Sequence, residues 1–263
     1  MVTLSGRGLH GGGEAAVAFR REPGPLRLEV DGRTCPLAEC LTEGTFGASQ
    51  LRCGGATLRT VEHLFAALAG LGIRDGLRIV VTGDEVPLLD GGALQLCRAL
   101  EAIHVPPRPP GLVVAREATL ELDGSRYRFA PGPDVQVGVE VELPEHCAPR
   151  AEWRGDPSDF VARIAPARTF ALERDVEEMT RRGLARHVDP ASVVVVGERA
   201  LHAAGSCAPD EPARHKLLDL IGDAYPYGGP PRGSLHAVRP GHSRNHAAFR
   251  RALDEGILRR EPT

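Results

Sequence analysis

Three segments of this sequence carry residue types that could bind a metal ion and move protons. The strongest is HKLLD at 215–219, in which His215 and Asp219 are four residues apart and Asp223 follows one turn later. On an α-helix, residues at i and i+4 project from nearly the same face, about 40° apart. The segment therefore predicts a helix with two metal ligands and a further carboxylate. The alternative is an exposed i,i+4 ion pair.

The other two segments are shorter. Glu62 and His63 are adjacent near the start of a predicted helix. Zinc peptidases also place a glutamate beside a histidine ligand, although the full HExxH motif is missing here. The alternative is a solvated first turn, in which Glu62 favours the positive end of the helix dipole. His242 follows a glycine after a predicted strand, where it either lines a cleft or is simply exposed.

Together these residues supply the parts of a hydrolytic metal site. A catalytic zinc ion takes three protein ligands, often histidines with one carboxylate, and leaves a position for water. A neighbouring carboxylate removes the proton of the acidified water, and a cationic histidine stabilises the oxyanion or protonates the leaving group. The segments lie far apart in the sequence, and spacing alone does not show that they meet. If they do, we expect a zinc-dependent hydrolase with the ligands His63, His215 and Asp219, although iron(II) accepts the same set.

Composition excludes several classes of protein. A net charge of −3 and an aromatic content of 4% provide neither the basic field nor the stacking surfaces of a nucleic-acid-binding protein. The N-terminus lacks the apolar region of a signal peptide, and no run approaches the length of a membrane span. We expect a cytoplasmic protein whose six cysteines, which form no CxxC pair, are mostly buried reduced thiols.

The elements that must position these residues fall into two parts. PPRPPG at 106–111 cannot continue a helix or a central strand, so it predicts a linker between domains at 1–106 and 111–263. Each part alternates short strands with helical patterns, which predicts two α+β layers of similar plan. The predicted helices span 61–71, 93–103, 172–182, 212–224 and 245–253.

Six motifs, spread from end to end of the chain, connect it with a known family. They are SGRGLHGG (5–12), TVEHLFAALAGLGI (60–73), GDEVPLLDGGA (83–93), IAPARTFAL (164–172), RHKLLDLIGDAY (214–225) and GHSRN (241–245). On these motifs the chain resembles the UDP-3-O-acyl-N-acetylglucosamine deacetylases, zinc amidases that commit bacteria to lipid A synthesis. The resemblance implies an α+β fold of two similar α/β sandwich domains, with the sheets outside, the helices packed between them and the active site at the junction.

The resemblance also implies a role for each matching residue. His63, His215 and Asp219 would hold one zinc ion per chain, and Glu62 would be the general base for the metal-activated water. His242 would be the charged partner of the oxyanion and of the leaving amine.

Four more residues take roles from the same motifs. Asp223 would hydrogen-bond His242 and keep it protonated. Thr169 would donate its hydroxyl near the scissile carbonyl. Lys216 would face the anionic nucleotide end of the substrate, and Phe170 is a further substrate-binding residue.

The expected reaction is hydrolysis of the N-acetyl group of a UDP-linked, 3-O-acylated glucosamine, with release of acetate. The expected partner is that substrate, bound by a monomer with at most transient membrane contact. Two alternatives stay open: a paralogue that acts on another N-acylated sugar, and a non-catalytic zinc or nucleotide-sugar binding protein. Retention of Glu62, His242 and Asp223 argues against a binder, which needs none of them.

The chain departs from the family pattern in three places. It starts almost directly at the GRGLH loop, so the first strand is expected to be shortened. After GLAR at 183–186 the family has a Gly-Gly-Ser stretch, where this chain has HVDP at 187–190. That stretch belongs to the insert near 170–200 that forms the acyl-chain passage. The loop at 43–51 also matches loosely.

Overall fold

The computed structural model describes residues 1–45, 47–176 and 187–261. In the first half, strands form where apolar residues alternate with more exposed ones, as in Leu77, Ile79 and Val81, because alternate side chains point to opposite faces. The strands are β1 (Val2–Arg7), β2 (Glu14–Pro25), β3 (Arg27–Val30), β4 (Arg33–Pro36), β5 (Leu41–Gly44), β6 (Ser49–Cys53), β7 (Ala56–Arg59) and β8 (Asp75–Thr82). They form a five-stranded sheet of order β1-β2-β8-β3-β4 and a three-stranded sheet of order β5-β6-β7.

Two helices complete the first half, α1 (Glu62–Gly70) and α2 (Leu94–Glu101). Every residue of α1 is buried. The helix is apolar apart from Glu62 and His63. These two side chains are buried together with the apolar ones. The helix stops where Gly72 adopts a φ of 68°, the left-handed conformation that glycine accepts most readily.

Among its described residues the second half contains ten strands, three helices and the further helical residues 173–176. The strands are β9 (Leu112–Val114), β10 (Ala118–Leu122), β11 (Ser125–Ala130), β12 (Val135–Glu140), β13 (Arg150–Trp153), β14 (Thr169–Leu172), β15 (Val193–Val196), β16 (Leu201–His202), β17 (Gly233–Val238) and β18 (Leu258–Arg260). The helices are α3 (Pro157–Asp159), α4 (Glu211–Ala224) and α5 (His242–Asp254). Shorter helical turns span Leu37–Glu39, Phe160–Ile164, Pro190–Ser192 and Tyr225–Tyr227.

The second half repeats the sheet plan of the first. Its five-stranded sheet has the order β10-β11-β17-β12-β13, and its three-stranded sheet has the order β14-β15-β16. In each large sheet the fifth strand along the chain, β8 or β17, lies parallel to the third and antiparallel to the second. The buried apolar side chains of both halves form one continuous cluster, in which α1 packs against α4. The chain is therefore a mixed α+β protein, as predicted.

Most of the predicted helices are confirmed. The structure has helices at four of the five predicted places, as α1, α2, α4 and α5. Of the helix predicted at 172–182, residues 173–176 are helical and 177–182 lie outside the described residues. β1 pairs with β2 along all six of its residues. That this strand is shorter than in the rest of the family stays a prediction.

The cysteines and the surface give two further results. Cys35 and Cys53 are joined by a disulfide, so the expectation of reduced thiols is wrong for this pair. Cys97 and Cys147 are buried free thiols, as expected. Within the described part of the chain, no helix is long and apolar enough to cross a membrane.

Candidate functional site

The polar face of α4 is buried, although its residue types are those of an exposed ion pair. His215 and Asp219 are each about 97% buried at their side chains, which are 3% exposed, and His215 Nε2 lies 3.4 Å from Asp219 Oδ1. The exposed-pair alternative is therefore wrong. His215 Nδ1 donates to the carbonyl of Ala167 at 3.0 Å, because a carbonyl can only accept. That bond leaves Nε2 as the acceptor that faces Asp219, the arrangement found for metal-bound histidines.

The histidine of α1 meets this pair from the other half of the chain. His63 Nε2 lies 3.7 Å from Asp219 Oδ1, and the His63 and His215 rings meet edge to face with centroids 5.0 Å apart. The ligand atoms of all three residues lie within 4.8 Å of one another. α1 comes this close to α4 because position 222 is glycine: a Cβ there would stand 2.1 Å from the Glu62 carbonyl oxygen.

The three side chains fit a divalent metal ion. Asp219 Oδ1 is buried and has no hydrogen-bond partner among the described residues, a costly state for a carboxylate oxygen unless a cation satisfies it. Burial, with the charge of the neighbouring histidine, lowers the pKa of His63 to about 3, and burial also lowers the pKa of His215. Both imidazoles are therefore neutral and able to donate a lone pair. Two neutral histidines and one carboxylate form a common zinc ligand set.

Glu62 lies beside this set and is 2% exposed. Its carboxylate accepts a hydrogen bond of 2.9 Å from the backbone N–H of Ser49. Burial raises the pKa of Glu62 to about 7, and the charges of Asp219 and Asp223 act in the same direction. The alternative of a solvated first helical turn is wrong, because Glu62 and its neighbour His63 both lie inside the protein.

His242 closes the other side of the group. It begins α5, and its Nδ1 lies 2.9 Å from Asp223 Oδ2 while its Nε2 lies 3.7 Å from Asp219 Oδ2. Burial disfavours the charged ring, but the two carboxylates outweigh burial and raise the pKa of His242 to about 9. His242 is buried rather than exposed, and at neutral pH it is an imidazolium that donates to Asp223.

Further polar side chains, which the sequence pattern did not predict as part of the site, hold Asp223. Ser49 Oγ donates to Asp223 Oδ1 at 2.6 Å and lies 2.8 Å from His246 Nε2. Asn245 Nδ2 donates to Asp223 Oδ2 at 2.8 Å, and Tyr127 Oη donates to the Asn245 side chain at 2.7 Å. His246 could have been found from its i+4 spacing to His242. Ser49 carries no such signal, because it lies in the loosely matching loop at 43–51.

The predicted substrate-binding residues flank the same group. Lys216 Nζ donates to Asp219 Oδ2 at 2.8 Å and lies 5.5 Å from the centre of the Phe170 ring. The Phe170 ring in turn meets the His215 ring at 6.2 Å. Thr169 begins β14, where its backbone N–H donates to the Gly91 carbonyl at 2.7 Å. The structure thus brings Phe170 and Lys216 close to the predicted ligands. Thr169 directly precedes Phe170 in β14.

The departure at 187–190 packs on the loop of the first motif. His187 Nε2 lies 2.9 Å from the carbonyl oxygen of Leu9, and a Cβ at Gly12 would stand 2.6 Å from the His187 ring. Val188 and Asp189 line a cleft of about 340 Å³ together with residues of β1 and of the 83–93 motif. GLAR at 183–186 lies outside the described residues.

The chain is similar to known proteins along nearly its whole length. The model of the family described as UDP-3-O-acyl N-acetylglycosamine deacetylase matches residues 1–254. The UDP-3-O-acyl-N-acetylglucosamine deacetylase of Myxococcus xanthus is 34% identical, over 97% of this chain and 85% of the relative. Proteins of the same name from an Anaeromyxobacter species and from Thermosynechococcus vestitus are 34% and 33% identical, over 98% and 95% of this chain and 88% and 90% of their own lengths.

Proposed function

The chain belongs to the UDP-3-O-acyl N-acetylglycosamine deacetylase family, and on that premise we propose that it removes the N-acetyl group of UDP-3-O-acyl-N-acetylglucosamine in lipid A biosynthesis. The reaction hydrolyses an amide and releases acetate. The observation that carries this proposal is the convergence of His63, His215 and Asp219 from two helices, with a buried carboxylate and a charged histidine beside them.

His63, His215 and Asp219 would hold one divalent cation, with zinc favoured by the two histidines and iron(II) also compatible. The unsatisfied Asp219 Oδ1 and the anchored His215 ring support this assignment. A cation bound there supplies Lewis acidity, which acidifies water and polarises a carbonyl group.

Glu62 acts as the general base. Amide hydrolysis adds the oxygen of water to the acetyl carbon, and Glu62 takes the proton that this water loses. A pKa of about 7 suits a carboxylate that must accept a proton and then release it at neutral pH. The Ser49 N–H holds one carboxylate oxygen and so fixes the direction of the other.

His242 acts as the charged partner of the oxyanion and of the leaving amine. Breaking the carbon–nitrogen bond leaves an amine that needs a proton, and an imidazolium with a pKa of about 9 carries one at neutral pH. Asp223 stabilises this charged form and fixes the ring through Nδ1, so Nε2 faces the group of ligands.

Three residues would hold the substrate near these groups. Thr169 would donate its hydroxyl near the scissile carbonyl, and Phe170 would provide an apolar surface beside it. An ammonium has three N–H donors, of which Lys216 uses one for Asp219. Lys216 can therefore keep that bond and still attract the anionic nucleotide.

We propose further that the halves 1–106 and 111–263 are two α/β sandwich domains with the site at their junction. The repeated sheet order and the division of the ligands between α1 and α4 support this arrangement. The segment near 170–200 would contribute the acyl-chain passage. We place the protein in the cytoplasm as a monomer that contacts the membrane only transiently, because its amphiphilic substrate carries an acyl chain.

One experiment tests the activity against its alternatives. Purified protein is given synthetic UDP-3-O-acyl-N-acetylglucosamine, and acetate release is measured before chelation, after chelation and after zinc is restored. We expect turnover that chelation removes and zinc restores. Turnover only of another N-acylated sugar would identify a paralogue instead, and metal binding without turnover of either substrate would identify a binding protein.

A further inference from the structure

Three cysteines lie together at a distance from the metal ligands. Cys35 in β4 and Cys53 at the end of β6 form the disulfide, and Cys40 Sγ lies 3.4 Å from Cys35 Sγ. The three sulfur atoms lie within 4.8 Å of one another. Cys40 reaches Cys35 because the helical turn Leu37–Glu39 folds the chain back between them. We call these three residues the cysteine trio.

We propose that the cysteine trio is a thiol–disulfide exchange site, in which Cys35 pairs either with Cys53 or with Cys40 and which a small dithiol opens by reduction. A disulfide bond is about 2.05 Å long. The Cys35 and Cys40 sulfurs, 3.4 Å apart, are therefore about 1.4 Å beyond bonding distance.

The exchange balances without an added oxidant or reductant. Cys40 loses its proton to solvent, and its thiolate attacks Cys35 Sγ. The Cys35–Cys53 bond breaks, its electron pair moves to Cys53 Sγ, and that sulfur takes up a proton. Complete reduction of the trio takes two electrons from a small dithiol, which becomes a cyclic disulfide.

The surroundings of Cys40 keep this exchange slow. Burial and the nearby charge of Glu39 raise the pKa of Cys40 to about 11, so its thiolate is rare at neutral pH. Cys40 also donates to the Pro36 carbonyl at 3.5 Å. Disulfides in a reducing compartment are usually transient and catalytic or redox-sensing, which favours a switchable role over a permanent crosslink.

The two disulfides would hold different parts of the fold. Cys35–Cys53 joins β4 to β6 across 18 residues, whereas Cys35–Cys40 would close only the connection between β4 and β5. β6 begins at Ser49, whose hydrogen bonds hold Glu62 and Asp223. Exchange therefore makes or breaks the crosslink between β4 and β6, the strand that begins at this serine.

Disulfide mapping tests the proposal without substrate. The full-length protein is equilibrated in mixtures of reduced and oxidised dithiothreitol, quenched with acid, alkylated, digested and analysed by mass spectrometry. We expect wild type to contain both Cys35–Cys53 and Cys35–Cys40 peptides, and Cys40→Ser to contain only the first. Cys207→Ser, which removes a cysteine outside the trio, should match wild type.

Two results would overturn the exchange site. One is a wild-type protein in which Cys40 is fully alkylated in every mixture and only the Cys35–Cys53 pair occurs. The other is a reduced trio that retains a second equivalent of zinc, because the trio would then be a metal site. Both are read from wild type, so a Cys40 variant that fails to fold does not affect the test.

The consequence for turnover rests on the proposed function. Cys53→Ser, which leaves Cys35 free to pair only with Cys40, is expected to lower kcat several-fold when oxidised and to leave KM unchanged. Equal turnover of its oxidised form and of wild type would overturn the link to Ser49. Absence of deacetylation in every form would instead count against the proposed function, while the mapping would still decide whether exchange occurs.

Discussion

The two halves of the molecule have the same strand order in their large sheets, but the helices at equivalent places carry different polar residues. In each, a three-stranded sheet and then a helix lie between the fourth and fifth strands of the large sheet: α1 occupies this place in the first half and α4 in the second. α1 contributes Glu62 and His63, whereas α4 contributes His215, Asp219 and Asp223. Neither half contains all three proposed ligands, so the proposed metal site would need the contact between these equivalent helices.

The helices after the fifth strands differ in the same way. α5 begins at His242, with Asp223 as its partner, whereas α2 begins with Leu94, which has no polar side chain. The two halves thus place a helix start at the same point of the chain order, and only the start of α5 has a titratable side chain. The halves therefore share the order of their elements and differ in a few polar residues at matching places.

Removing one ligand from each half is the strongest test of this division. We expect His63→Ala and His215→Ala each to lower the bound zinc from one equivalent to a small fraction and to lower kcat by about a thousandfold or more, because the Lewis acid supplies several kcal/mol. Metal content after gel filtration measures the first effect. His202→Ala, an exposed histidine of the second half, is the control. Full zinc retention by His63→Ala would show that the second half binds metal alone.

Glu62→Gln separates metal binding from proton transfer within the first half. We expect zinc content to stay near one equivalent and kcat to fall by about 10²–10⁴-fold, since the amide cannot take a proton. The variant keeps an oxygen for the Ser49 N–H, so the position of the side chain should change little. Near-normal kcat would mean that another group is the base.

The pH profile of Asp223→Asn tests the proton donor of the second half. Activity should rise as pH passes the pKa of Glu62, about 7, and fall as pH passes that of His242, about 9, because the base must be ionised and the imidazole protonated. A bound cation shifts both limbs to lower pH. Removing the Asp223 charge should move the midpoint of the alkaline limb to lower pH by about one pH unit or more.

The acid limb of this variant should move less, because Asp223 affects Glu62 only through space. Tyr127→Phe is the matched control: it removes the hydrogen bond to Asn245 and leaves the Asp223 charge in place. Its profile should match that of wild type. If the alkaline limb of Asp223→Asn has the same midpoint as in wild type, Asp223 does not keep His242 protonated.

Variants of Ser49 test whether the three-stranded sheet of the first half helps to hold Asp223 of the second half in place. Ser49→Ala keeps the backbone bond to Glu62 but removes the hydroxyl that donates to Asp223 at 2.6 Å. A hydrogen bond to a charged group contributes about 1.5–3 kcal/mol, and partial replacement by water leaves an expected loss of about tenfold in kcat. KM should stay unchanged, and Ser49→Thr should restore kcat. Equal losses in both variants would indicate a packing defect.

The sequence predicted what depends on local pattern. Helical spacing placed His215, Asp219 and Asp223 on one face, and the apolar stripe of α1 predicted that helix. Burial of these polar faces was not predictable, because it depends on the packing of α1 against α4. Ser49 was missed for the same reason: it lies 174 residues from Asp223, and such a contact leaves no periodic signal.

The strands were harder to predict than the helices. β5, β6 and β7 are short and polar, so their alternation does not stand out from that of a loop. The repeated sheet order was also hidden, because equivalent strands need to share only an inward-facing pattern and not a sequence. The motif resemblance supplied the roles that spacing alone left open.

The smallest expected effect concerns the segment at 187–190. Changing 186–190 towards the family's Gly-Gly-Ser pattern should shift the preferred acyl length, because apolar burial contributes about 0.8 kcal/mol per methylene. It should leave kcat on the best substrate within about tenfold, since no proposed ligand or proton carrier lies there. The alternative is a surface loop of different sequence, although Val188 and Asp189 line a cleft.

Values of kcat/KM across acyl chains of increasing length, before and after the change, distinguish the two. His187→Ala alone tests the contact with Leu9, because it removes that hydrogen bond and leaves Val188 and Asp189, the other cleft residues of the segment, unchanged. An identical length profile would mean that the segment does not line the passage. Loss of activity on every substrate would mean that His187 supports the SGRGLHGG loop, and through it the fold of the first half.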